Sequence, residues 1–224
     1  MTHQVSLGLT TLHSARLVHI TPNAEELISY MARVSNPANQ SNTETSQRLI
    51  RYLIEHQHWS PFEMVNMCVE INTTRSIAAQ ILRHRSFSFQ EFSQRYSDIS
   101  NIGSPAIPAL RLQDTKNRQN SIEAVGEDKD RINALIDCID NHFASSVFLY
   151  EELLEAGVAK ECAREVLPLA TPTRLYMNGT IRSWIHYCQL RCGNGTQLEH
   201  RMIAEGAYKL LQEHLPSVCA VLAV

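Results

Sequence analysis

The densest chemistry in the sequence is Arg83-His84-Arg85-Ser86-Phe87-Ser88-Phe89-Gln90-Glu91-Phe92-Ser93-Gln94-Arg95-Tyr96, with three arginines, a histidine, three serines and one acid in fourteen residues. Guanidinium groups are planar and permanently charged, and grip phosphates and carboxylates two bonds at a time. Gln80, Arg83 and His84 are spaced i, i+3, i+4, which puts them on one helix face opposite Ile77 and Ile81. Solvated faces usually mix Glu and Lys, and this one has neither. Past Ser86 the pattern becomes extended, so Glu91, Ser93 and Arg95 are expected on one side of a strand. Such a row would hold a phosphate with Arg95 and Ser93, with Glu91 accepting N–H or hydroxyl donors. The same spacing fits an internal ion pair between Glu91 and Arg83 or Arg85, with the serines as turn formers.

A second display lies downstream. Arg182 and His186 are i, i+4 on a helix whose other face carries Ile181, Trp184, Ile185 and Cys188, and Arg191 follows a turn later. The cations are 16 Arg and only 4 Lys, a bias toward recognition over simple solvation. His56 and His58 would point to one side of an extended segment but have no third ligand at metal spacing, and Cys188 and Cys192 with His200 are read as structural, so no metal is expected. Neither Gly-x-x-x-x-Gly-Lys-Ser/Thr nor Gly-x-Gly-x-x-Gly occurs, so a dinucleotide would bind outside P-loop or Rossmann chemistry.

Several elements must position these groups. Thr21-Pro22 reads as an N-cap and first helical residue, opening a helix through Leu27, Ile28, Met31 and Val34. Leu49, Ile50, Leu53 and Ile54 mark a second helix. Val65, Met67, Val69 and Ile71 alternate with Asn66, Cys68, Glu70 and Asn72, a half-buried strand. Ile77, Ala78, Ile81 and Leu82 return to helical period, and Pro105 to Ser121 reads as a long loop. From about Asp130 one long helix carries Ile132, Leu135, Ile136, Ile139, Phe143, Val147, Tyr150 and Leu154, stopping at Gly157. A short helix ends before Pro168, a strand runs around Arg174 to Met177, and a helix spans Thr180 to Arg191. Gly193-Asn194-Gly195 turns into a last helix with Leu198, Met202, Leu210 and Leu211 inward. Helices around a few strands that do not alternate as βαβ units define an α+β protein.

With 224 residues, 44% hydrophobic and 19% charged, the chain is neither disordered nor fibrous. A net charge of −3 argues against a whole-surface nucleic-acid coater. The longest apolar run, Cys219 to Val224, is far short of the ~18–20 residues that span a bilayer. From Met1-Thr2-His3-Gln4, which shows no basic stretch before an apolar core, no secretory leader is expected. A soluble cytoplasmic protein is expected, its six cysteines read as small buried hydrophobes in a reducing compartment.

The Arg83–Tyr96 segment resembles the signature of flavin-dependent thymidylate synthases, Arg-His-Arg-x-x-Ser-x-Asn-Glu-x-Ser-x-Arg-Tyr. Arg83, His84, Arg85, Ser88, Glu91, Ser93, Arg95 and Tyr96 fall in register, and Gln90 replaces the usual Asn. His58-Trp59-Ser60-Pro61-Phe62-Glu63 resembles the family's His-x-Thr/Ser-Pro-Phe-Glu element, and Ala32-Arg33-Val34-Ser35 its early Ala-Arg-x-Ser. Ala163-Arg164-Glu165-Val166-Leu167-Pro168, Thr180-Ile181-Arg182-Ser183, His186 and Leu190-Arg191 are similar to its C-terminal motifs, although many members carry Asn at Thr180 and His186. The similarity covers roughly residues 30–210.

The resemblance implies one domain over 1–224, with mixed helices packed around a small, mainly antiparallel sheet. It implies reductive methylation of dUMP to dTMP, with methylenetetrahydrofolate as carbon donor, FAD as hydride carrier and NADPH as reductant of the flavin. By motif position Ser60, Arg83, His84, Arg85, Glu91, Thr180, Ile181, Arg182 and His186 would contact FAD. Gln80, Ile81, Leu82, Arg83, Glu91, Phe92, Ser93, Gln94, Arg95, Arg164 and Arg191 would hold dUMP. Arg191 would activate the pyrimidine: uracil C5 is a poor nucleophile unless the ring becomes anionic, and a guanidinium there stabilises that charge. Other thymidylate synthases use a covalent cysteine, and none lies near the Arg-His-Arg signature. The family also implies a homotetramer with active sites between subunits, and no membrane or nucleic-acid partner. The competing reading is a non-catalytic nucleic-acid binder that stacks bases on Phe87, Phe89, Phe92 and Tyr96.

Overall fold

The computed structural model describes residues 12–222, so the expectations resting on the first four residues and on the end of the C-terminal run lie outside it. A four-stranded antiparallel sheet has the order β1-β2-β6-β3, built from β1 (Ser14–Ile20), β2 (Asn66–Thr74), β3 (Ser88–Glu91) and β6 (Pro172–Thr180). The period-two strand expected from Val65 is the central β2: Val65, Met67, Val69 and Ile71 are all 0% exposed. Its other face is covered by polar pairing. Glu70 accepts from Arg16 at 3.3 and 3.1 Å and from the Tyr176 hydroxyl at 3.0 Å. Two residue pairs, Leu112–Gln113 (β4) and Ser121–Ile122 (β5), form a small hairpin inside the expected Pro105–Ser121 loop.

Helices α1 (Ala24–Ala32), α2 (Ser46–Glu55), α3 (Arg75–Ile81), α7 (Ile181–Arg191), α8 (Leu198–His214) and α9 (Pro216–Cys219) carry most of the remaining core. Their inward residues include Ile28, Ile50, Leu53, Ile77, Ile181, Trp184, Ile185 and Cys188. The expected inward face of α8 is rotated: Ile203, Ala204, Ala207 and Leu211 are buried, whereas Leu198, Met202 and Leu210 are only half-buried. Thr21 does not cap α1. Asn23 occupies that position, and Thr21 is drawn to β2, where its N–H donates to Asn66 O and its Oγ1 accepts from Asn66 N–H, both at 2.9 Å. Val34 lies beyond the helix and is exposed.

The long helix expected from Asp130 is two helices, α4 (Glu127–Asn133) and α5 (Ile136–Glu155), and Gly157, at φ 82°, takes the left-handed turn just beyond α5. Only Ser146 and Tyr150 of α5 are buried, and Tyr150 forms a small cluster with Ile99 and with Ala163 of α6 (Lys160–Ala163). Leu135, Phe148 and Leu149 face outward. Among the cysteines, Cys68 and Cys188 are buried, Cys192 and Cys219 half-buried, and Cys138 and Cys162 exposed, so the reading of all six as buried fails for the last two. Among the described residues no helix is long and apolar enough to cross a membrane.

Candidate active site

Helix α7 starts where β6 ends, and Thr180 caps it: its Oγ1 accepts the Ser183 N–H at 3.2 Å. Ile181, Trp184, Ile185 and Cys188 anchor one face, and the Trp184 indole N–H donates to Met67 O at 2.9 Å. That bond fixes the roll of the helix and turns Arg182, His186 and Gln189 outward. These side chains, with Trp59, Glu63 and Ser86, line a cleft of about 390 Å³. Arg182 pairs with Glu63, and the Ser183 hydroxyl donates to Ser86 O at 3.2 Å. The His58–Glu63 turn and the start of the arginine segment therefore face each other over the first turns of α7.

Phe87 turns inward beneath this segment. Its ring lies 4.9 Å from Trp184 and 5.9 Å from Tyr187, over Gly179 of β6, where a Cβ would meet Phe87 Cδ1 at 2.4 Å. Only a glycine permits that approach. Beside it, the Arg191 Nε donates to His84 Nε2 at 3.0 Å, and the His84 ring stands edge-on to Tyr187 at 5.0 Å. Arginine cannot accept, so His84 Nε2 carries no proton. Burial, then the charges of Arg191 and His186, hold His84 neutral by pushing its pKa down to about 4. Arg83 and Arg85 are exposed, and neither forms an ion pair among the described residues.

Ile81 and Ile181 are 0% exposed, so any ligand contact from them runs through the backbone. Leu82 is exposed and Ser60 lies on the turn that faces α7. Helix α3 ends at Ile81, so His84 and Arg83 sit on the turn after it and not on the face shared with Gln80. Behind them lies a group that spacing did not single out. His200 contacts Gln80 and Tyr187, and Gln197, Glu199 and Arg111 continue the line. No local pattern announces it, because Arg111 and Glu199 are 88 positions apart and His200 and Gln80 are 120 apart.

The second half of the signature departs from the expected strand. Strand β3 ends at Glu91, the Phe92 N–H still reaches Arg174 O at 2.8 Å, and then Tyr96 and Ser97 donate back to Ser93 O at 3.1 and 3.0 Å. Ser93 and Arg95 therefore lie on a turn, not in a strand row with Glu91. Glu91 makes no ion pair with Arg83 or Arg85; it accepts from the Thr173 hydroxyl at 2.9 Å. Arg95 instead reaches α6, donating to Glu161 at 3.1 Å, and Arg164 lies 3.4 Å from Glu165. Gln94 is buried and accepts from Arg75 at 3.1 Å. His56 ends α2 and stacks on Tyr52 at 4.0 Å, so the His-x-His pair is not in an extended segment. Among the described residues no group of three His, Cys, Asp or Glu could hold a metal ion.

Arginines from three separate segments, set on a sheet-backed helical layer beside an aromatic-walled cleft, define an α+β protein whose site suits an anionic ligand with flat apolar parts. Residues 16–217 match the family of thymidylate synthase complementing proteins, and the chain belongs to that family. It is 49% identical over 216 residues to a probable flavin-dependent thymidylate synthase of Paramecium bursaria Chlorella virus 1, covering 93% of this chain and 98% of the relative. It is 52% identical over 199 residues to a flavin-dependent thymidylate synthase of Synechocystis, covering 88% and 89%. The UMP/dUMP methylase PolB of Streptomyces cacaoi, solved with 5-Br dUMP, superposes with a TM-score of 0.81 at 24% identity, covering 93% of each chain. The fold is therefore the mixed α/antiparallel-sheet architecture expected from the sequence.

Proposed function

We propose that this chain is a flavin-dependent thymidylate synthase that converts dUMP to dTMP. The carrying observation is the Arg191 guanidinium held at 3.0 Å by an uncharged His84. An arginine paired with a carboxylate is largely neutralised before any ligand arrives. Here the partner is a neutral imidazole bound at Nε, so both terminal Nη groups keep their charge and their donors. Facing a uracil carbonyl and N3, they would stabilise the anionic ring that makes C5 nucleophilic. The carbon comes from methylenetetrahydrofolate; FAD, when bound, supplies the hydride and is reduced by NADPH.

The cleft fits part of such a cofactor. Trp59 and Ile185 give it flat apolar wall, and Arg182, His186 and Gln189 give it a cation and hydrogen-bonding groups. Ser60, Arg83, Arg85, Glu91 and Thr180 are the further flavin contacts in this reading. Ser93, Arg95 and Arg164, on the turn and beside α6, would hold the nucleotide phosphate. A cleft of about 390 Å³ is too small to enclose a whole FAD, so neighbouring copies of the chain supply the remaining wall in a homotetramer. Sedimentation showing an active monomer with stoichiometric FAD would refute that assembly.

No thiol is needed as nucleophile. Cys192 follows Arg191 directly, but its side chain is half-buried against the core, and the Cys188 thiol one turn earlier donates to Ala204 O at 3.9 Å. Replacing all six cysteines by Ser or Ala should lower stability and leave the chemistry intact. The central test is tritium release from [5-³H]dUMP by the flavin-loaded protein. Release that requires methylenetetrahydrofolate and NADPH is expected. A colourless protein that binds oligonucleotides in a salt-sensitive manner would support the nucleic-acid reading instead.

A further inference from the structure

Six side chains drawn from four parts of the chain make one hydrogen-bonded line. Arg111 holds Glu199 with both terminal nitrogens, at 2.7 and 3.0 Å. Glu199 also takes the Gln197 Nε2 at 2.9 Å. Gln197 Oε1 faces Gln80 Nε2 at 2.7 Å, Gln80 Oε1 faces His200 Nδ1 at 3.3 Å, and His200 Nε2 faces the Tyr187 hydroxyl at 3.1 Å.

The links in this line take their direction from the carboxylate at one end. An ionised carboxylate only accepts, so Gln197 must present its amide nitrogen to Glu199 and its oxygen to Gln80. Gln80 must then donate to Gln197, which turns its own oxygen to His200. His200 must carry its proton on Nδ1, leaving Nε2 to accept from Tyr187. Reversing Gln197 would set an amide oxygen against a carboxylate, and reversing Gln80 would set two amide oxygens 2.7 Å apart. The Gln80–Gln197 contact is open to solvent, but His200 is 0% and Tyr187 1% exposed, so water cannot relieve a mismatch at that end of the line. Gln80 itself is half-buried at the edge of the site, with one N–H and one lone pair still uncommitted.

We infer that His200 is a positioning residue, which with the Arg111–Glu199 pair holds the Gln80 amide in one orientation for the substrate nucleotide. The inference rests on the reading of Gln80 as a dUMP contact. A ligand then meets a donor at Nε2 and an acceptor at Oε1 in fixed places, and pays no reordering of that amide on binding.

The test uses two amide replacements, each matching one ring nitrogen, in the full-length, flavin-loaded protein. Asn places its amide nitrogen where imidazole Nδ1 sits, and Gln places its own where Nε2 sits. His200→Asn should keep the KM for dUMP within about threefold of the parent, and His200→Gln should raise it about tenfold, as expected for one lost neutral hydrogen bond. In both, kcat at saturating dUMP should change less than threefold. Equal KM values for the two variants overturn the inference, whether both match the parent or both are impaired, because packing alone would move both together. If neither variant folds, ¹⁵N-histidine correlation spectra of the parent protein decide the matter. A neutral His200 protonated at Nδ1 supports the inference, and the Nε2–H tautomer or an imidazolium at pH 7 refutes it. A parent protein that turns over no dUMP would instead overturn the proposed function, leaving the tautomer result to stand alone.

Discussion

At the junction of α3, α7 and α8 the polar groups are directional and committed to one another around a buried core of Tyr187, Glu199 and His200. On the turn after β3 they are exposed and loosely paired. Arg191 leans on an uncharged imidazole, and His200 and Tyr187 behind it are shut from solvent. Arg95 is held by Glu161 with side chains 59% and 53% exposed. Exposed pairs of that kind contribute ~0–1 kcal/mol, so an arriving phosphate can take the arginine from its carboxylate at little cost. In the function proposed above, the first region is preorganised for charge that develops during reaction, and the second is a provisional clasp for charge that arrives with the ligand.

The largest effect should come from breaking the first region at its cation. Arg191→Ala should lower dTMP formation by ~100- to 1000-fold, or ~2.7–4 kcal/mol of barrier, with fold and flavin content retained. Single-turnover rates on flavin-loaded protein would measure it. Arg95→Ala should instead act mainly on the KM for dUMP. If the two variants lose kcat equally, the contrast between the regions disappears.

A smaller effect is expected under the aromatic floor. In Gly179→Ala the new Cβ would lie 2.4 Å from Phe87, whose ring supports Trp184 and Tyr187. The ring must shift, at ~1–3 kcal/mol, the usual range for overpacking. Urea unfolding should show a lower midpoint at unchanged slope. An unchanged midpoint would mean the floor yields freely, and the first region would lose its claim to rigidity.

Acid should separate the regions too. His84 and His200 are pushed down to about 4 and about 3, both chiefly by burial, below the ordinary 6.5 of an unfolded histidine. Between pH 6.5 and 4 the unfolded chain therefore binds more protons than the folded one, and stability falls as pH falls through that window. Above 6.5 the contribution is fully present. Thermal midpoints from pH 7.5 to 5 should decline, and His84→Gln should decline less steeply. Equal slopes would mean His84 is not held neutral.

What could be read in advance follows the same division. Period-two alternation placed β2, Thr180 announced the start of α7, and the i, i+4 spacing displayed Arg182 with His186, because each depends on near neighbours. The turn at Ser93 was not legible: an extended pattern continues in the side chains, but the backbone of Tyr96 and Ser97 closes on Ser93 O. Nor was Thr21, whose capping chemistry was taken by a strand 45 positions away. The line from Arg111 to Tyr187 was least visible, since its directions come from contacts between elements distant in the chain.

The mildest change sharpens the contrast most. Glu161→Gln keeps the shape of the clasp on Arg95 and removes its charge. Because the pair is exposed, global stability should move by no more than ~0.5 kcal/mol, the usual span for surface positions. The freed guanidinium should meet the nucleotide phosphate with less competition, so the KM for dUMP should fall by about two- to threefold at low ionic strength. Salt should erase the gain, since screening shortens to ~3 Å at 1 M. A loss of stability above ~1 kcal/mol, or a KM that rises, would show that Glu161 positions Arg95 as firmly as His84 positions Arg191. The turn after β3 would then be a built site like the first, and the provisional clasp would have to be abandoned.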